Sequence, residues 1–152
     1  MRTSNIRAAA RAALAAVLVT AAAVAAGTAA RADTAPLGVT DAWTPAAAAS
    51  GATVPLYMTV TNTGAADALL RIRCPVANFT DKRVMDVGEG GLSAREVKAL
   101  PLPTGKTVLK AGGAFVQLLQ TTQPLAAGDH FDCHLSFKSG TSLDVPVTVR
   151  AR

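Results

Sequence analysis

Two groups of residues in this 152-residue chain could do chemistry. The first is the run His130-Phe131-Asp132-Cys133-His134, which holds both histidines of the sequence. Alternate residues of an extended strand share a face and lie about 6–7 Å apart. His130, Asp132 and His134 would therefore look outward together. Imidazole and carboxylate are ligands for Zn(II) or Cu(II), so neighbours in this trio could chelate a metal loosely. The same residues also read as an ordinary solvated face, with Asp132 pairing Arg71 or Arg73 if those strands are neighbours. The second group is the only two cysteines, Cys74 and Cys133. Each falls among apolar residues at strand spacing, Cys74 with Leu70 and Ile72, Cys133 with Phe131 and Leu135. Two inward thiols can meet across a sandwich core and oxidise, closing a loop of about 60 residues. Otherwise they stay apart as small buried apolar groups. The pair is not a Cys-x-x-Cys, which argues against a redox-active role.

The compartment decides between a bridge and free thiols. Arg2, Arg7 and Arg11 open the chain without an acidic residue, an apolar run follows from about Ala12 to Ala26, and Ala30-Arg31-Ala32 precedes Asp33. Basic head, short apolar middle and small-residue exit make residues 1–32 a secretory signal peptide, cleaved after Ala32. The run is Ala-rich and shorter than the about 20 strongly apolar residues of a spanning helix. The expected location is periplasmic or secreted, where a disulfide persists, with no stable membrane span after cleavage.

Cleavage also changes the charge argument. The whole chain has 15 Lys+Arg against 10 Asp+Glu. Arg2, Arg7, Arg11 and Arg31 leave with the leader, so 11 basic and 10 acidic residues remain. A net charge of +1, with no basic stripe carrying interleaved aromatics, excludes nucleic acid as an expected partner. The remaining 120 residues, 33–152, suit one domain with one core.

The elements that must position these residues are strands. Val54 to Asn62 puts Leu56, Met58 and Val60 on one face and Tyr57, Thr59 and Thr61 on the other. The same alternation runs through Val39–Trp43, Leu70–Cys74, Lys82–Val87, Ala94–Leu100, Thr107–Lys110, Ala114–Leu119, His130–Lys138 and Val145–Val149. Asn62-Thr63-Gly64, Gly88 to Gly91, Pro101 to Gly105, Gly112-Gly113 and Pro124 to Asp129 supply turns, and Pro45 to Ala52 a loop. Many short strands without a convincing helix predict an all-β, antiparallel β-sandwich. No Gly-x-Ser-x-Gly, His-Glu-x-x-His or phosphate loop is present, so no enzyme activity is expected.

Several segments together resemble the periplasmic copper chaperones of the PCuAC family. They are Val39-Thr40-Asp41-Ala42-Trp43, Tyr57 to Gly64, Pro75-Val76-Ala77, Leu102-Pro103-Thr104-Gly105, Lys110-Ala111-Gly112-Gly113 and Gln123 to Asp129, in that order along nearly the whole mature chain. The resemblance implies a cupredoxin-like sandwich and a site for Cu(I) built from thioether and imidazole, soft ligands that suit the metal. The family motif is a His with a Met just behind it, a further Met, and a His-x-Met after the Gly-Gly turn. Here the first His position falls at Arg83, with Asp81 and Lys82 as alternatives. Met85 stands for the Met behind it, Ala94 for the further Met, and Phe115-Val116-Gln117 for His-x-Met. Of these positions only Met85 keeps a ligand type, and it also reads as a packing residue.

The resemblance therefore implies an exported PCuAC-like family protein whose Cu(I) site is largely lost and whose metal binding is weak or absent. Copper is implied by resemblance alone. The candidate metal groups are Met85, then His130 and His134, and the implied partner is a periplasmic copper-handling or other envelope protein. The alternative is a metal-free structural or protein-interaction module.

Overall fold

Alternation of apolar and polar residues is what the backbone obeys. The computed structural model describes residues 35–152, and the expected leader, residues 1–32, lies outside them. Ten strands follow one another: β1 (Leu37–Pro45), β2 (Val54–Asn62), β3 (Asp67–Arg73), β4 (Ala77–Gly88), β5 (Gly91–Val97), β6 (Leu100–Leu102), β7 (Gly105–Leu109), β8 (Ala114–Thr121), β9 (His130–Phe137) and β10 (Ser142–Arg150). Among the described residues no helix is long and apolar enough to cross a membrane.

β2 joins two sheets. Its first half pairs β8 at Val54–Leu118 and Leu56–Val116, and its second half pairs β7 from Met58–Leu109 to Asn62–Gly105. The strand order is β5-β4-β8-β2-β1-β10-β9-β3-β6, with β7 beside β2. Between the sheets lie Leu56, Met58, Val60, Leu69, Leu118, Cys133, Leu135 and Val147, all buried. All pairings are antiparallel except that of β1 with β10, which run parallel from Trp43–Thr148 to Pro45–Arg150. A parallel pair needs a long crossover, and the first and last strands have the whole domain between them. Pro146 sits where β10 is paired only to β9, which tolerates its missing N–H.

Two bulges shift the inward set in ways that simple alternation does not reveal. In β1 the register slips between Thr40 and Trp43, and Asp41 takes φ 52°. Asp tolerates this left-handed conformation better than most residues. After it Ala42 and Thr44 are buried, whereas before it the buried residue is Leu37. In β3 the slip between Leu69 and Arg71 overturns the expected grouping of Leu70 with Ile72 and Cys74. Leu69 is fully buried and Leu70 is 42% exposed. Pro101 belongs to the three-residue strand β6 rather than to a turn.

Cys74 and Cys133 are joined, with Cα atoms 4.3 Å apart. The bridge does not cross between sheets as expected. β3 pairs β9 at Arg73–His134, so the next positions, Cys74 and Cys133, stand side by side on neighbouring strands. Their Cα separation is near that of a non-hydrogen-bonded antiparallel pair. The buried polar residues are satisfied locally. Asn62 donates from Nδ2 to the carbonyls of Ala65 and Leu102, at 2.8 and 3.1 Å, and accepts from Gly64 N–H at 3.0 Å. Thr44 donates to the Pro55 carbonyl at 2.8 Å. At the start of β3, Asp67 accepts from the N–H groups of Ala68 and Ser139 at 2.8 and 3.0 Å, tying β3 to the β9–β10 turn. Hydrogen bonding from Ser139, with Ala68 N–H and the Lys138 charge, holds the Asp67 carboxyl below its ordinary 3.8.

Two outcomes follow from these ties. Replacing both cysteines with Ala should lower the unfolding free energy by about 4 kcal/mol in urea titration, the loop-closure value for a separation of 59 residues. Because the Asp67 pKa is depressed, its contribution is present above pH 3.8 and is lost as pH falls through the folded value. Asp67→Asn should therefore destabilise the protein at pH 7 and lose this effect at pH 2, read from paired thermal melts.

Candidate metal centre

The positions implied by the resemblance come together on β4, β5 and β8. β4 pairs β8 at Asp81–Gln117 and Arg83–Phe115, and pairs β5 at Arg83–Glu96 and Met85–Ala94. Residues opposite each other in a ladder share a face. Asp81, Arg83 and Met85 therefore line one face of β4, flanked by Ala94 and Glu96 on one side and Phe115 and Gln117 on the other. Lys82 lies opposite Val116, a fully buried core residue, and so belongs to the other face. Of the three alternatives for the first position, only Asp81 and Arg83 share the face of Met85. The next outward residues across β2 and β1 are Tyr57 and Trp43, with ring centroids 5.0 Å apart. The Arg150 guanidinium lies 5.1 Å from the Trp43 ring centroid and also meets the Asp41 carboxylate of the β1 bulge.

The centre of the face is ionic. Arg83 Nη2 lies 3.5 Å from Asp81 Oδ2, with the two side chains 28% and 24% exposed. Arg83 Nε is buried without a hydrogen-bond partner. Met85 is half-buried, its N–H held by the Gly113 carbonyl at 3.0 Å. Across the strands Phe115 has no lone pair to give and Gln117 supplies only an amide. The face thus presents one thioether beside a guanidinium. A thioether suits Cu(I), but the guanidinium beside it, paired with Asp81, has no lone pair to add.

The histidines lie elsewhere. His130 and His134 are on β9, separated from β8 in the strand order by β2, β1 and β10. Both are exposed, as alternation predicts. The structure does not bring Met85 to them. Within β9 each imidazole has its own neighbour on β10: His134 Nδ1 lies 2.7 Å from Asp144 Oδ1, and His130 Nδ1 lies 3.3 Å from Thr148 Oγ1. β3 is indeed beside β9, but the expected pairing of Asp132 with Arg71 or Arg73 does not form. Asp144, Thr148 and Glu96 were not foreseen as neighbours. The alternation of β10 could have revealed the first two once its hairpin register with β9 was fixed. Among the described residues no three His, Cys, Asp or Glu side chains converge as a metal-binding group.

With this geometry in place, comparison with known proteins identifies the relatives. A model of the family described as "Putative lipoprotein LpqE-like" matches residues 37–149. The chain belongs to the LpqE-like family. Its fold is the cupredoxin-like sandwich of PCuAC copper-chaperone domains. The copper-bound PCuAC domain from PmoF2 superposes with a TM-score of 0.66 at 18% identity, covering 77% of this chain and 94% of that one. The apo PCuAC domain from PmoF1 gives 0.64 at 24% identity, covering 77% and 95%. The Cu(I) form of DR1885 from Deinococcus radiodurans gives 0.60 at 26% identity, covering 80% and 84%. No curated protein matches.

The ion pair of this LpqE-like chain has a measurable signature. Replacing Asp81 with Ala leaves a half-buried guanidinium unpaired and should cost about 1–2 kcal/mol. Arg83→Met removes the charge and the unpartnered N–H, keeps apolar volume beside Phe115, and should stay within about 1 kcal/mol of the parent. The D81A/R83M double variant should be more stable than D81A alone, as a urea-unfolding cycle would show.

Proposed function

We propose that this chain is an exported member of the PCuAC-like copper-chaperone group that no longer holds Cu(I) tightly. The observation that carries this reading is the Arg83–Asp81 ion pair at the centre of the β4–β5–β8 face, opposite Phe115 and beside Gln117. A chaperone site for Cu(I) needs several soft donors converging without a competing cation. This face offers the Met85 thioether alone. The two histidines on β9 add separate, exposed imidazoles that can capture metal only weakly.

Export is supported by the leader-like residues 1–32, by the lipoprotein description of the family, and by the Cys74–Cys133 bridge, which persists in an oxidising compartment. Protein contact in the envelope fits this reading, with a copper-handling protein as the partner that the family suggests. The exposed Val87 and Leu92, opposite each other at the tip of the β4–β5 hairpin, supply apolar surface for such contact.

Titration with Cu(I) against a competing chelator tests the metal half of this reading. The protein should show no tight one-to-one complex, and its affinity should match that of isolated Met and His residues. The R83H/A94M/F115H/Q117M variant, which rebuilds the family motif around Met85, should gain a one-to-one Cu(I) complex. A tight complex in the parent chain would overturn the proposal.

A further inference from the structure

Among the described residues, a cleft lies away from the β4–β5–β8 face, where the chain passes from β3 to β4. It has a volume of about 420 Å³ and is lined by Arg71, Arg73, Cys74, Asn78, Phe79 and Thr80, with Ile72 and Ala77 at its floor. Arg71 and Arg73 are alternate residues of β3 and point to one side. Both are exposed, and neither takes part in an ion pair among the described residues. The register explains why. Arg73 stands opposite His134, and the carboxylate behind it, Asp144, is already engaged by that imidazole at 2.7 Å. Asp132 lies beyond the last β3–β9 pair.

The cleft is also held in shape. Thr80 on β4 donates its hydroxyl to the Ile72 carbonyl of β3 at 2.6 Å, closing the gap between the two strands. The disulfide fixes the end of β3 to β9, and Ala77 N–H returns to the Cys74 carbonyl at 3.3 Å. Two arginines and an asparagine, with no carboxylate residue among them, thus line a preformed hollow. Beside them Phe79 is 61% exposed, an apolar ring left in water at the rim.

We propose that this cleft binds a phosphate oxyanion. Arginine forks match phosphate oxygens in pairs, and a phosphate has enough oxygens to serve two forks and the Asn78 amide at once. A carboxylate has two oxygens and is satisfied by one fork. The exposed Phe79 suits a phosphate that carries an apolar portion, as a lipid headgroup does, but the shared chemistry is the phosphate itself. The site is separate from the face that the metal question concerns, so it stands or falls independently of the proposed function.

The test follows backbone amides by NMR while inorganic phosphate is added to the exported protein. A parallel arm measures co-sedimentation with phosphatidylglycerol vesicles against pure phosphatidylcholine vesicles. Saturable shifts confined to residues 71–80 support the site with free phosphate as its source. Selective binding to the phosphatidylglycerol vesicles supports it with the headgroup as source. In either arm R71Q/R73Q should weaken binding at least tenfold, while R95Q, at the exposed Arg95 that pairs with Asp86, should leave it unchanged. Absence of binding in both arms, shifts centred elsewhere in the molecule, or undiminished binding by R71Q/R73Q would overturn the proposal.

Discussion

The structure depends on one strand being buried along a whole face. In β2, Val54, Leu56, Met58 and Val60 are each at most 2% exposed, and every second residue between them faces away. One edge of β2 runs along β1, and the other is divided between β8 and β7. Both sheets therefore take their register from the same four apolar side chains. A slip of one residue would turn these side chains outward in both layers at once, which strongly specifies a single arrangement.

That arrangement fixes the candidate metal face. Because Leu56 is opposite Val116, β8 must show Phe115 and Gln117 on its outer side. Because Val116 is opposite Lys82, β4 must show Asp81, Arg83 and Met85 there. The scaffold sets side by side the positions that the resemblance implies as ligands, and the side chains standing there are Arg83, Met85, Ala94, Phe115 and Gln117. Fold and metal chemistry are thus separable here: the core is set by the inward residues, and the outward residues are free to change without disturbing it.

Much of this was legible in the sequence where alternation was unbroken. β2 has the bounds expected for it, and the inward Phe131, Cys133, Leu135 and Phe137 of β9 follow the same rule. Alternation failed where an extra residue enters a strand. The β1 and β3 bulges moved the inward set by one, and nothing in the residue types at Leu69-Leu70 distinguishes the buried leucine from the exposed one. The disulfide was readable as two inward cysteines in a chain expected to be exported, but its geometry was not, because side-by-side placement depends on which strands are neighbours. For the same reason the His134–Asp144 pair and the Arg71–Arg73 cleft could not be read without the β3–β9–β10 order. The ligand positions themselves came from the family motif, and the structure added Glu96 as the residue opposite Arg83.

The guanidinium at the centre of the β4 face has one more consequence. A cation delivered from solution obeys mass action: its occupancy rises and falls with supply, and a competing ligand can strip it away. Arg83 is covalently part of the strand. Its charge has no dissociation constant, answers to no chelator, and persists through the pH range in which imidazoles gain and lose protons. A face whose charge is built into the strand keeps the same electrostatic pattern whatever the supply of metal around it.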